Sequence, residues 1–348
     1  MKNRNILFTI GICSFKRPQY LSESINSVLS NTYQNFEIII SDDCSPNIKE
    51  IKKVLAPFKN HKKIKIFFQE KNLGWSNNRN FIKNKAKGDY LIIIGDDDLF
   101  FKNTLSCLSK EIENNPNRDL YLFGFELIDE NGIKINSFYS PKYYNFNHQN
   151  SGIIKRILKA DHFPFWFFHP LTLCMNTKNM NDISFNKKAG IGDDYLFLYD
   201  SIFNKKEFSI IPKKLFKWRK IQEKSKESFT NISAFSMNNI VSRNNILSIM
   251  RDYKIDNKEL LDYINTQNFE NEFLLKSILR AGIPPETIYN EFGQDLYDKY
   301  ISYKKVNSKL INTIKTRTDY VIFTRLKGLV LGLIFALERL KYKFNFSI

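Results

Sequence analysis

Along the first hundred residues, short apolar runs alternate with stretches in which apolar side chains recur every three or four positions. Residues 6–12 form a first strand, interrupted only by the polar Thr9. Pro18 stands where a helix can begin, and Leu21, Ile25, Val28 and Leu29 follow on one helical face. Residues 36–40 read as a buried strand that stops at Ser41, Asp42 and Asp43. Residues 48–55 predict a helix, 64–68 a strand and 76–87 another helix. Residues 88–100 then carry a buried-type strand that ends in three consecutive carboxylates, Asp96, Asp97 and Asp98. Strands alternating with short helices predict a mainly parallel, helix-covered α/β sheet. Ligands of such sheets bind beyond the carboxyl ends of the strands, where both the Asp42-Asp43 pair and the triple Asp fall.

The pattern changes after residue 100. Residues 104–114 predict a helix, 120–127 a strand and 129–132 a turn. Residues 138–150, rich in Tyr, Asn and Phe, read as a long surface loop. An aromatic cluster at 163–170 includes Trp166 and His169; it is either a packing loop or a platform that stacks on sugar rings and excludes water. Beyond about residue 228 the period turns helical, as in 240–250 and 273–279. Three parts are therefore expected: 1–100, 101–227, and a helical region 228–348. Within the last, residues 320–343 carry an apolar run flanked by Arg325, Lys327, Arg339, Lys341 and Lys343. That run is too short to span a bilayer, but suits lying in the interface of an anionic membrane, or packing on the main domain or on a second copy.

Composition narrows the chemistry. In 348 residues, 53 Lys and Arg against 36 Asp and Glu give a formal charge of +17, which favours polyanionic partners or phosphorylated substrates. Aromatic and basic residues form no recognisable nucleic-acid-binding module. Cys13, Cys44, Cys107 and Cys174 are widely spaced, which fits a reducing compartment and neither a zinc site nor a disulfide framework. The N-terminus reads as a first strand and not as a signal peptide. Three adjacent carboxylates repel one another unless something positive sits among them. A divalent cation is the usual answer: oxygen ligands suit Mg²⁺ and Mn²⁺, and magnesium-type sites share the ion with substrate phosphates. The plain alternative is a solvated acidic turn.

Four segments carry a family resemblance. Residues 10–21, with Ser14, Arg17 and Pro18, resemble the opening motif of the family 2 glycosyltransferases, inverting enzymes with the GT-A nucleotide-diphospho-sugar fold. Residues 36–45 resemble its second motif, 72–80 its third, and the triple Asp its metal-binding DxD motif. The order and family-like spacing of all four are far more specific than any one of them.

The resemblance implies residue roles. Ser14 and Arg17 would approach the nucleotide, and Asp43 would accept a hydrogen bond from the nucleobase, typically uracil N3–H. Arg79 would face the pyrophosphate from a helix start; otherwise it is a surface ion pair. Aligned on Gly88, Asp89 and Tyr90, the DxD motif falls on Gly95, Asp96 and Asp97, so its first carboxylate is missing. Asp96 would then serve the ribose and Asp97 the metal, with Asp98 a second ligand; the alternative register gives the metal to Asp98. Gly192, Asp193 and Asp194 resemble the family's Gly-Glu-Asp motif, which makes Asp194 the base that takes the acceptor's proton. The plain alternative there is a turn or helix cap. Downstream, Trp218 and Arg219 remain of an aromatic-Arg segment whose usual His is missing, with Gln222 or water in its place. Asp193, Trp218, Arg219, Trp166 and His169 are candidate diphosphate or acceptor contacts; the plain alternative for Trp218 and Arg219 is packing.

The expected activity is a Mn²⁺- or Mg²⁺-dependent transfer of a sugar, from a UDP-type nucleotide sugar to a glycan or lipid-linked hydroxyl. The expected setting is bacterial surface-polysaccharide or lipo-oligosaccharide assembly on the cytoplasmic membrane face, with an anionic membrane or a second copy as further partners. The rivals are a nucleotidyltransferase on a similar sheet, which lacks its Gly-rich phosphate loop here, and a non-catalytic basic protein.

Overall fold

A computed structural model describes residues 5–138, 144–146, 173–188 and 193–221, with Gln294, Tyr297, Asp298 and Ile301 beyond them. Strands β1 (Phe8–Ser14), β2 (Phe36–Asp42), β3 (Ile64–Phe68) and β4 (Tyr90–Gly95) lie in the order β3-β2-β1-β4, all parallel. Strands β1 and β4 are buried along their whole length, which explains why they read as continuous apolar runs instead of alternating ones. The intervening helices are α1 (Pro18–Leu29), α2 (Ile48–Leu55) and α3 (Trp75–Lys85). Pro18 opens α1, which buries Leu21, Ile25 and Val28.

The second half of the sheet is mixed. After the two-residue strand β5 (Leu99–Phe100) and helix α4 (Thr104–Asn114) come β6 (Leu120–Ile128), β7 (Lys134–Phe138), β8 (Tyr144–Phe146) and β9 (Leu173–Asn176). Helix α5 (Asp193–Phe203) and the long strand β10 (Phe208–Arg219) follow. Strand β9 is inserted antiparallel between β4 and β6, while β10 runs parallel to β6 and antiparallel to β5. The ten strands among the described residues thus form one sheet whose N-terminal half is parallel.

The expected elements up to residue 128 are present with ends shifted by at most two residues, β1 and β2 extending to Ser14 and Asp42. The stretch expected as one long loop contains β8, which pairs with β10. Strand β10 had no clear pattern because Pro212, Lys213 and Lys214 interrupt it, and its register to β6 shifts on either side of Lys214.

The chain divides into two compact units, Met1–Gln267 and Asn268–Ile348. The first contains the whole sheet. Of the second, only the four isolated positions named above are described. The helical segments expected at 240–250, 273–279 and 320–343, and the part boundary at 228, lie outside the described residues. Among the described residues no helix is long and apolar enough to cross a membrane.

Candidate active site

Beyond the carboxyl ends of β1 and β2 lies a small cavity of about 110 Å³, lined by Cys13, Ser14, Phe15, Asp43, Asn72, Gly74, Trp75 and Asn78. The first three motif segments therefore meet in one place. Asp43 organises it. Its two carboxylate oxygens accept the backbone N–H groups of Leu73 (2.6 Å) and Gly74 (3.0 Å), and its own N–H donates to the Ser14 carbonyl (2.9 Å). Gly74, at the start of α3, has φ of +76°, a left-handed conformation that glycine adopts without strain. The Ser14 hydroxyl is buried in the cavity wall without a hydrogen bond of good geometry.

Helix α3 is polar because its inward face meets other chain segments and not oil. Asn78 donates to the Ser41 carbonyl on β2 (3.1 Å), and Asn80 exchanges two hydrogen bonds with the backbone of Phe185. Arg79, between the rings of Trp75 and Phe185, donates to Asp193 at 2.6 Å in a pair that is almost wholly buried. Burial opposes the Arg79 charge, but Asp193 and Asp194 outweigh it and hold its pKa above the ordinary value. Asp193 and Asp194 form the first turn of α5, where the helix dipole favours negative charge; the second carboxylate oxygen of Asp193 has no hydrogen bond among the described residues.

The triple Asp is more crowded. Arg17 forks across two of the carboxylates, with Nη1 at 2.6 Å from Asp97 and Nη2 at 2.8 Å from Asp96, the latter an ion pair without hydrogen-bond alignment. Asp96 also accepts the Phe15 N–H (3.0 Å). Asp98 accepts the N–H of Gly95 (3.2 Å) and of Arg219 (3.1 Å), one on each oxygen. Burial, with the neighbouring Asp97 adding to it, pushes Asp96 up to about 7 and Asp98 well above the usual carboxylate range. A side chain on Gly95 would place its Cβ 2.7 Å from Asp97 Oδ1 and 3.0 Å from Asp98 Oδ2. The missing first carboxylate of the motif therefore leaves room that its two neighbours fill.

Arg219 is engaged throughout. Its Nε donates to the Asp97 carbonyl (2.9 Å), Nη1 to the Glu130 carbonyl (2.9 Å) and Nη2 to Glu23 (2.6 Å), while the guanidinium lies 4.8 Å from the Tyr20 ring centre. It clamps the Asp97-Asp98 turn, in line with the packing role that the sequence left open for it. Trp218 packs edge-on against Phe125. Trp166, His169 and Gln222 lie outside the described residues.

Both acidic clusters lie within electrostatic reach of the buried Cys13 on β1. The buried Cys13 thiol, pushed up to about 12 by burial, senses the charges of Arg79, Asp96, Asp193 and Asp43 together. Sequence spacing alone could not reveal this, since Asp96 and Asp193 stand 97 positions apart.

Among the described residues no three His, Cys, Asp or Glu side chains form a ready-made metal cage. The donor set at 96–98 nonetheless fits a hard cation: all its ligands are carboxylate oxygens, and burial with mutual repulsion raises the pKa of Asp96 and Asp98. Magnesium-type sites with one or two carboxylates are completed by substrate phosphates.

The chain also resembles known proteins. Residues 9–169 match the model of the family described as "Glycosyl transferase family 2". An uncharacterized glycosyltransferase of Methanocaldococcus jannaschii is 31% identical over 215 residues, 61% of this chain and 70% of that protein. WfgD of Escherichia coli, a UDP-Glc:alpha-D-GlcNAc-diphosphoundecaprenol beta-1,3-glucosyltransferase, is 27% identical over 211 residues, 58% of this chain and 81% of its own. The fold resembles S. aureus TarS residues 1–349 in complex with UDP (18% identity, TM-score 0.56, 86% of this chain and 92% of that one). It also resembles the mannosyltransferase PcManGT of Pyrobaculum calidifontis in complex with GDP-Man and Mn²⁺ (10%, 0.54, 98% and 88%). The sheet is thus of the GT-A kind expected from the sequence, and the chain belongs to glycosyl transferase family 2.

Proposed function

We propose that the protein transfers a sugar, with inversion, from a UDP-type nucleotide sugar to a hydroxyl of a lipid-linked or glycan acceptor, assisted by a divalent cation. The observation that carries this reading is the buried Arg79–Asp193 pair, which joins the nucleotide-side helix α3 to the helix that begins with Asp193 and Asp194. It is supported by the names of two relatives: WfgD uses UDP-Glc and a diphosphoundecaprenol-linked acceptor, and PcManGT was solved with Mn²⁺.

Asp43 has lone pairs left after its two backbone hydrogen bonds, and these would accept the N3–H of uracil. Asp96, fixed by the Phe15 N–H, is assigned to the ribose hydroxyls. Asp97 is assigned to the metal, since both oxygens of Asp98 are already held by backbone N–H groups. The charge building on the departing diphosphate is what a bound Mn²⁺ or Mg²⁺ would neutralise. Asp194 takes the proton of the acceptor hydroxyl, whose oxygen attacks the anomeric carbon from the face opposite the diphosphate. Arg79 and Asp193 keep the start of α5 in place. The acceptor would be met at the cytoplasmic face of a membrane, with residues 320–343 as the anionic-lipid or second-copy contact.

The test is a screen of UDP-, GDP- and dTDP-sugars, with Mn²⁺ or EDTA, against a diphosphoprenyl-linked sugar acceptor. UDP-sugar consumption that requires both Mn²⁺ and acceptor is expected. Failure of every sugar nucleotide to bind or turn over would contradict the reading.

A further inference from the structure

We propose that Arg17 holds the place of the divalent cation in the donor-free protein, and that the cation binds only as Arg17 releases Asp97. The inference rests on the assignment of Asp97 as metal ligand.

Two arginines touch the acidic turn, and they differ in kind. Arg219 is fixed: its side chain is 1% exposed, and Nε, Nη1 and Nη2 are all committed to groups of the protein. Arg17 reaches the carboxylates from the solvent side, with its side chain 20% exposed above Asp96 at 0% and Asp97 at 9%.

Its Nη1 lies 2.6 Å from Asp97 Oδ2. A guanidinium and a divalent ion cannot both sit against that oxygen, because two cations at such a distance repel strongly in a site this dry. Arg17 therefore stabilises the acidic turn while no ion is present, and competes with the ion for the same carboxylate. Its backbone precedes the first turn of α1 and follows Ser14 and Phe15, which line the nucleotide cavity. Once released, the fork is beside the nucleotide, where a diphosphate offers it the bidentate partner it has lost. Cation and donor then favour one another: the donor takes Arg17 away, and the cation takes its place. Arg17 is in this sense a positioning residue for the metal ligand.

Mn²⁺ binding to the full-length protein is measured from the free-ion electron paramagnetic resonance signal, with and without UDP. The wild type should bind Mn²⁺ weakly alone and about 10-fold or more tightly with UDP, in the usual range of coupling between sites. Arg17→Gln should bind Mn²⁺ alone about 10-fold more tightly than the wild type and lose most of the UDP effect. Arg17→Lys, a point charge that cannot span both carboxylates, should fall between them and serves if the glutamine variant does not fold. Lys16→Gln removes the neighbouring charge and should change Mn²⁺ affinity by less than about 2-fold. Equal or weaker Mn²⁺ binding by both Arg17 variants, or an equal gain in Lys16→Gln, overturns the inference. If UDP binds the wild type with Mn²⁺ but the Arg17 variants gain nothing, the inference alone fails. If they gain Mn²⁺ affinity but no nucleotide binds, the exchange stands and the donor reading fails.

Discussion

Two acidic clusters lie within electrostatic reach of the same buried Cys13, each paired with an arginine, yet burial acts on them differently. At the start of α5, two carboxylates meet the fully buried Arg79 and the positive end of a helix, and Arg79 is held charged beyond its ordinary range. At the end of β4, three carboxylates share the half-open Arg17 and a clamp from Arg219, and burial drives Asp96 and Asp98 toward protonation. At the first cluster the neighbouring carboxylates keep a buried arginine charged; at the second, burial works against the charge of the carboxylates themselves. On the proposed reading the first suits a fixed base, and the second an exchangeable cation that arrives with a diphosphate.

The sharpest break in the comparison is chemical. Asp194→Asn keeps the shape of α5 but removes the proton acceptor; transfer should fall by about 10²–10⁴-fold with nucleotide binding retained, as measured by product formation and calorimetric titration. Next in size, Arg79→Ala leaves Asp193 buried without its partner and should cost about 3–5 kcal/mol in urea denaturation. A loss below about 1 kcal/mol, the range of a surface pair, would mean that the α5 cluster is not held by this pair.

Smaller effects are expected at the β4 cluster. Arg219→Lys keeps the charge but loses the fork that clamps the acidic turn, and should cost about 1–2 kcal/mol by the same measurement. The pH dependence runs in a distinctive direction. Folded Asp96 and Asp98 hold protons that the unfolded chain has released above about pH 4. The Asp96 contribution to stability therefore falls as pH rises from about 4 to about 7, and that of Asp98 falls in the same direction. In EDTA, Asp96→Asn should flatten the stability-against-pH profile over that window, and an unchanged slope would show that burial does not hold a proton on Asp96.

Much of the donor side was legible in the sequence because β1, β2 and β4 are buried on both faces, so their apolar runs stand out and their ends mark the site. Asp43 and the triple Asp could be located this way before any contact was known. The roles of the arginines could not. Arg17, Arg79 and Arg219 are each close in sequence to a motif, but what they bind depends on partners 80, 114 and 196 positions away. Strand β9 and the bulged β10 escaped notice because one is four residues long and the other is broken by Pro212 and two lysines. The register of the triple Asp was ambiguous for a geometric reason: only the fold shows that the space beside Gly95 is filled by Asp97 and Asp98.

The division of labour between the two clusters is tested most directly by titrating UDP with Mn²⁺ into the wild type, Asp97→Asn and Asp194→Asn. Mn²⁺-dependent UDP binding is predicted for the wild type and Asp194→Asn, and its loss for Asp97→Asn. Binding by Asp97→Asn that matches the wild type in Mn²⁺ dependence and affinity would contradict the account.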